Sequence, residues 1–112
     1  GYKGLYGGLG AQGIHKRKGL KKGQKILDHM GSTELAANLF RATQTEEKLR
    51  RDQVRGKENA NKTHYDVGCK VRQTIQDLGG TMPENLPTPD QSIQQIERAQ
   101  KKRLKDAKGK KQ

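Results

Sequence analysis

Cysteine occurs once in the 112 residues, at Cys69. A lone cysteine excludes an internal disulfide framework and a cysteine-rich zinc site, and it fits a reducing cytoplasm. Tryptophan is absent, phenylalanine occurs once and tyrosine three times, so aromatics make up 4%. Hydrophobic residues make up 29%, where an ordinary globular domain is close to half apolar. A chain this poor in apolar residues builds a thin core, and it is elongated, partly disordered or completed by a partner surface. No apolar run reaches the roughly 20 residues that a membrane-spanning helix needs, and no signal peptide is visible. No membrane role is therefore expected. The chain opens GYKGLYGGLG without an initiator methionine, which suggests a piece of a longer protein.

Positive charge is what the chain has in excess. There are 24 Lys and Arg against 12 Asp and Glu, a formal net charge of +12. At this length such a balance points to a polyanion: DNA, RNA or an anionic surface. The charge sits at the ends. Residues 1–31 hold Lys3, Lys16, Arg17, Lys18, Lys21, Lys22 and Lys25 against Asp28 alone. Residues 90–112 hold Arg98, Lys101, Lys102, Arg103, Lys105, Lys108, Lys110 and Lys111 against three carboxylates. The middle is close to neutral.

That middle reads as helix. Ser32 follows Gly31 and is a suitable N-cap, with Glu34 favourably placed in the first turn. Leu35, Leu39, Ala42 and Leu49 follow a helical stripe, flanked by Phe40. RGKENANK (55–62) is polar and holds Gly56, a natural break. A second stripe runs through Ala60, His64, Val67, Val71, Ile75 and Leu78 until Gly79-Gly80 stops it. Two amphipathic helices, near 33–54 and 58–79, pack as an antiparallel hairpin burying Leu35, Leu39, Val67, Val71, Ile75 and Leu78. The two stripes also stay in phase, so a single long helix completed by a second chain is the alternative. Ile26, Leu27 and Met30 suggest a short helix, and residues 10–18 another turn or two. TMPENLPTPD (81–90) reads as an extended connector. Asp90 then caps a last helix carrying Ile93, Ile96, Ala99 and Leu104, and the tail KGKKQ is expected to be flexible. The expected fold class is all-α: a helical hairpin or small bundle of two long central helices with shorter flanking helices and a basic flexible C-terminus. Residues 1–31 form a glycine-rich loop with basic short helices, 32–80 the hairpin, and 81–112 the connector, last helix and tail, all within one domain.

The opening glycines pose a chemical question, because glycine-rich loops cradle phosphates. A phosphate loop needs a preceding strand and the spacing GxxxxGK[ST]. Neither is present, so the glycines are expected to let the chain turn tightly while Leu5, Tyr6 and Leu9 dock on the helical body. Tyr2 and Tyr6 could alternatively stack on bases. His15, His29 and His64 have no partner at metal-ligand spacing. His64 falls on the apolar stripe, where packing is the simpler role, and His15 belongs to the basic run. Glu46 and Glu47 face different ways on a helix and more simply pair with Arg50 and Arg51. No nucleophile, acid–base pair, cofactor motif or metal site can be read, and no enzymatic activity is expected. What remains is charge: Lys16, Arg17, Lys18, Lys21, Lys22 and Lys25 at the front, Lys101, Lys102, Arg103 and Lys105 at the back. Such residues neutralise phosphates and release counterions. No helix-turn-helix, finger or RNP motif accompanies them, so little sequence preference is expected.

Three strings carry a resemblance: GLYGGL, IHKRKGLKKGQKILDHMGSTELAANLFRATQTEEKLRRD, and HYDVGCKVRQTIQDLGGTMPENLPTP. They resemble the C-terminal region of the bacterial DinD family of DNA-damage-inducible proteins, from residue 1 to about residue 100. The resemblance implies a protein of the SOS response, with an N-terminal antirepressor-like domain not included in this chain. It also implies control of the RecA recombinase, by blocking or dismantling its filaments on single-stranded DNA. The resulting expectation is a non-enzymatic DNA-damage-response module of the cytoplasm and nucleoid. Its partners would be the RecA filament, with single-stranded DNA as a direct contact in one version. Self-association is expected from the thin core. The alternative is a structural, oligomerisation module that assembles the longer protein while another domain meets the target.

Overall fold

The computed structural model of the chain describes residues 1–89, 98 and 100–104, and among them the regular structure is entirely helical. A short helix α1 (Ala11–Arg17) leads through the 3-10 turn Ile26–His29 to two long helices, α2 (Ser32–Arg51) and α3 (Lys57–Asp77). A second 3-10 turn, Pro83–Asn85, follows. α2 and α3 pack on one another as the expected hairpin, broken at Gly56 rather than continuing as one long helix. Residues 98 and 100–104 are helical. The expected cap Asp90, the apolar positions Ile93, Ile96 and Ala99, and the tail KGKKQ lie outside the described residues.

All three helices stop in the same way. In each, the second amide beyond the cap residue reaches back to the carbonyl five positions earlier: Leu20 to His15, Val54 to Leu49, Gly80 to Ile75, at 3.2, 3.0 and 2.9 Å. This is the Schellman arrangement, which requires a left-handed residue one place before. Gly19 and Gly79 supply it for α1 and α3, whereas at the end of α2 Gln53 adopts it (φ 51°). The hairpin link is thus closed by a residue with a side chain in a conformation that glycine usually takes. At the other end, α2 starts one residue earlier than expected. Gly31 is its cap and Ser32 is already helical, with no side-chain hydrogen bond.

The core differs from the expected one in a specific way. Its buried apolar residues are Leu5, Tyr6, Ile14, Met30 and Val71, so only Val71 comes from the six residues expected to meet between the helices. Leu35, Val67 and Ile75 are half-buried and pack against this cluster. Leu39 and Leu78 are 54% and 81% exposed. Leu78 is the cap residue of α3 and lies past its last packed turn. Leu39 is exposed because α2 turns a different face inward: its buried residues are Glu34, Asn38, Arg41 and Thr45. These recur at helical spacing, so they form a stripe, but a polar one.

The opening segment fills the space that this face leaves. Leu5 and Tyr6 are essentially fully buried, and Leu9 packs beside them, as expected. The segment crosses α3 backbone against backbone. A Cβ on Gly4 would stand 2.2 Å from the carbonyl oxygen of Tyr65, and one on Gly68 would stand 2.8 Å from the amide nitrogen of Leu5. The glycines at this crossing are needed for close approach and not for phosphate. The expected connector 81–90 is, over its described residues 81–89, not simply extended: Pro83 is fully buried at the start of its 3-10 turn.

Two substitutions test this packing. Val71→Asp places an unpaired charge in the core and is expected to cost about 3 kcal/mol or more. Gly68→Ala would ordinarily stabilise a helix interior by about 1 kcal/mol. Here the contact with the backbone of Leu5 reverses the sign, and a lower melting temperature is expected. A thermal melt of each variant reads both, and a melt of Gly68→Ala at or above that of the parent chain would remove the crossing.

Candidate functional site

α1 and the turn after it carry the front basic residues, and the structure divides them into two kinds. Lys18, the cap residue of α1, points into the molecule. Its ammonium is 2.7 Å from Glu34 Oε1, and the two side chains are 6% and 1% exposed. It also donates to the carbonyl of His29 and to Thr88 Oγ1. Arg17 donates from Nε to the carbonyl of Glu84 and from Nη2 to Asn85 Oδ1, both at 2.7 Å. It therefore ties α1 to the 3-10 turn Pro83–Asn85. These two cations hold the structure together.

Lys16, Lys21, Lys22 and Lys25 are of the other kind. All four are exposed, and none enters an ion pair among the described residues. Lys16 stands on α1, and the turn that presents the other three is fixed by Gln24. Its amide donates to the carbonyl of Lys21 at 3.0 Å, and its Oε1 accepts from the Lys21 amide at 2.6 Å. His15 Nε2 lies 3.1 Å from the carbonyl of Gln24, so the ring is bound to the turn. At the back, Lys101, Lys102 and Arg103 are exposed on the helical stretch 101–104. Lys105 lies outside the described residues. No described hydrogen bond or ion pair joins the back set to the front set.

Beneath the basic front lies a buried polar network that sequence reasoning did not find. Tyr6 donates its hydroxyl proton to Glu34 Oε2 in a short hydrogen bond. Asn38 Nδ2 donates to Tyr6 Oη and to the carbonyl of Glu34, each at 2.9 Å. Burial and the hydrogen bond to Glu34 both push the Tyr6 phenol well above its ordinary range, so it stays protonated and donating. The available signal was the recurrence of Glu34, Asn38, Arg41 and Thr45 on one helical face. A polar stripe reads as solvated until something covers it.

Arg41 shares that face. It is 9% exposed, with Nη1 3.4 Å from His64 Nδ1 and Nε lacking a partner. Burial lowers the guanidinium's affinity for its proton. His64 is half-buried, matching the packing role expected for it, and burial, the amino terminus and Arg41 hold it below the usual histidine range. Its Nδ1 is therefore available to accept from Arg41. Arg72 Nη1 meets both carboxylate oxygens of Glu84 at 2.7 and 2.8 Å. Burial pulls Glu84 upward, but the hydrogen bonds and charge of Arg72 more than offset it and hold the carboxyl below its ordinary range.

None of these groups forms a nucleophile with a placed base. Glu47 pairs with Arg51 at 3.5 Å on the surface. Among the described residues no group of three His, Cys, Asp or Glu is placed to hold a metal ion, and no helix is long and apolar enough to cross a membrane.

The chain is thus a small all-α fold held by a buried ion pair, with exposed lysines on α1 and on the turn after it. The chain matches the DinD C-terminal domain over residues 1–96 and belongs to that family. It is similar to DNA damage-inducible protein D of Escherichia coli K12, with 75% identity over 101 residues. The match covers 90% of this chain and 37% of that protein, so the chain spans little more than a third of the curated relative. No solved structure matches it.

The buried pair generates a direct expectation. Lys18→Ala leaves the Glu34 carboxylate without its cation and should cost roughly 3–5 kcal/mol. Glu34→Gln added to Lys18→Ala should recover part of that loss, because no charge then remains uncompensated. Chemical denaturation of the single and double variants measures both. A double variant no more stable than Lys18→Ala would show that the pair does not act as a unit.

Proposed function

We infer that this chain is a non-enzymatic regulatory module of the DNA-damage response, one that blocks or dismantles RecA filaments on single-stranded DNA through its basic front. The observation that carries this reading is the set Lys16, Lys21, Lys22 and Lys25, four exposed ammonium groups on α1 and the pinned turn after it, with no ion pair among the described residues. Membership of the DinD C-terminal family and the name of the relative, DNA damage-inducible protein D, supply the biological setting.

The physical route is competition. A recombinase filament exists because its subunits hold a phosphate backbone. Each lysine that neutralises a phosphate releases counterions and gains affinity independent of sequence. A compact basic module can therefore take strand from the filament end as subunits exchange. Lys18 does not contribute a contact in this reading, because its three donors are spent within the fold, and Arg17 has two of its five donors bound to the turn Pro83–Asn85. The module acts in the cytoplasm, at the nucleoid.

A second reading has its own observation. Leu39 and Phe40 are 54% and 55% exposed, and a groove of about 770 Å³ runs between α2 and α3 beside Phe40, Val67 and Val71. Such a face suits assembly of copies of the longer protein. Light scattering of the chain and of Phe40→Glu tests it: a concentration-dependent dimer lost on substitution supports assembly, and a monomer at high concentration removes it.

The leading reading is tested in a RecA strand-exchange assay with the 112-residue chain. Inhibition is expected, and changing Lys16, Lys21, Lys22 and Lys25 to Ala should weaken it about tenfold or more while leaving the thermal melt unchanged. Full inhibition by that variant would reduce the lysines to a solvated face. Inhibition seen only with the longer protein would favour the assembly reading.

A further inference from the structure

Beside the four lysines lies a groove that electrostatics alone does not require. It opens between the first residues of the chain, α1 and the 3-10 turn Ile26–His29, and has a volume of about 540 Å³. That is within the range of small-ligand sites, roughly 300–1,000 Å³. Tyr2, Ile26 and Leu27 line it together with His15, Lys16 and Lys25, and among the described residues no carboxylate does. Leu27 is 48% exposed, an isobutyl group left half in water among cations. Tyr2 is held in place by Tyr6, their rings meeting edge to face with centroids 5.7 Å apart.

We propose that this groove is a subsite for an unstacked base of single-stranded nucleic acid, in which Tyr2, Ile26 and Leu27 receive the base and Lys16 and Lys25 hold the phosphates on either side of it. The inference rests on the reading that the basic front meets single strands, and it locates where a base goes. Three features favour this occupant. A duplex keeps its base faces stacked and offers only edges, whereas a single strand can turn a base face onto an aromatic and apolar wall. The lining is cationic throughout its charged members, which matches phosphate. An acidic peptide would use the lysines but gain little from tyrosine, isoleucine and leucine grouped in one recess.

Tyr6, the other tyrosine open to a stacking role from sequence, is excluded because it is 1% exposed and bound to Glu34. A recess that reads any base face by contact with apolar atoms has no donor–acceptor code, so binding should be tolerant of sequence. Purines and pyrimidines would differ only in stacking strength.

The test compares two labelled strands of equal length by fluorescence anisotropy over a range of salt: oligo(dT), and an abasic strand with the same phosphates and no bases. The 112-residue chain should bind oligo(dT) about fivefold or more tighter than the abasic strand, given roughly 1–3 kcal/mol for a stacked base. Leu27→Ala and Tyr2→Ala should bring that ratio toward one without changing the salt slope. Leu27→Ala is the cleaner variant, because Tyr2 also packs on Tyr6 and circular dichroism must show its variant folded. Lys16→Ala with Lys25→Ala should leave the ratio but flatten the slope by roughly 1.4, for two single-strand phosphate contacts.

Equal affinity for the two strands overturns the proposal. So does a ratio unmoved by Leu27→Ala, or a poly-glutamate chain that displaces oligo(dT) as readily as it displaces the abasic strand. The two readings fail separately. Filament inhibition without base preference removes the groove and leaves the RecA reading. Base preference without any effect on filaments does the reverse.

Discussion

Glu34 stands in the first turn of α2 with its side chain 1% exposed, and a carboxylate cannot stay there uncompensated. Its partners come from two other parts of the chain, Lys18 from the end of α1 and Tyr6 from the opening segment, and the Tyr6 hydroxyl in turn accepts from Asn38 one turn further along α2. Apolar surfaces tolerate many arrangements of similar burial, but a buried charge with a fixed set of donors tolerates few. In a chain with 29% hydrophobic residues this matters more than usual. The thin apolar cluster of Leu5, Tyr6, Ile14, Met30 and Val71 supplies burial, and the charge fixes which segments come together around it.

The same network sorts the basic residues. Charge density in the sequence marks the run from Lys16 to Lys25 as a unit, yet the fold uses it for two purposes. Lys18 is drawn inward to bind α1 to α2, and Arg17, on the surface, binds α1 to the turn at Pro83–Asn85. Their neighbours Lys16, Lys21, Lys22 and Lys25 are left outward, with no ion pair among the described residues. These two cations therefore position the outward set: because Lys18 is held at Glu34 and Arg17 at the backbone of Glu84, the last turn of α1 has one orientation and the turn after it projects from a fixed base.

Much of this was legible from residue pattern. The two long helices, the break at Gly56, the stop at Gly79, the short elements before Gly31 and the docking of Leu5 and Tyr6 all follow from spacing and local conformation. The face of α2 did not. Periodicity marks Leu35 and Leu39 as inward because it assumes that the covering surface is apolar. Here the covering surface brings a tyrosine hydroxyl and a lysine, so the inward stripe is Glu34, Asn38, Arg41 and Thr45, and Leu39 is displaced to solvent. The groove at Tyr2 and Leu27 was equally hidden, since it joins residues from the two ends of the front segment. Family resemblance gave the setting of the protein but no map of its residues.

The backbone crossing of Gly4 on Gly68 also bears on how the chain reaches its fold. α2 and α3 join residues near one another in sequence and can zip together quickly from the link at Gln53. The opening segment must close a loop across most of the chain before its contacts are rewarded, and loop closure of that length is slow. The hairpin is thus expected to form early with its polar face open, and the last event is the seating of Tyr6 over Glu34. Until that moment the carboxylate stays hydrated. The last step expected in the folding of this small domain is therefore a dehydration, in which water leaves Glu34 as the phenol and the ammonium arrive.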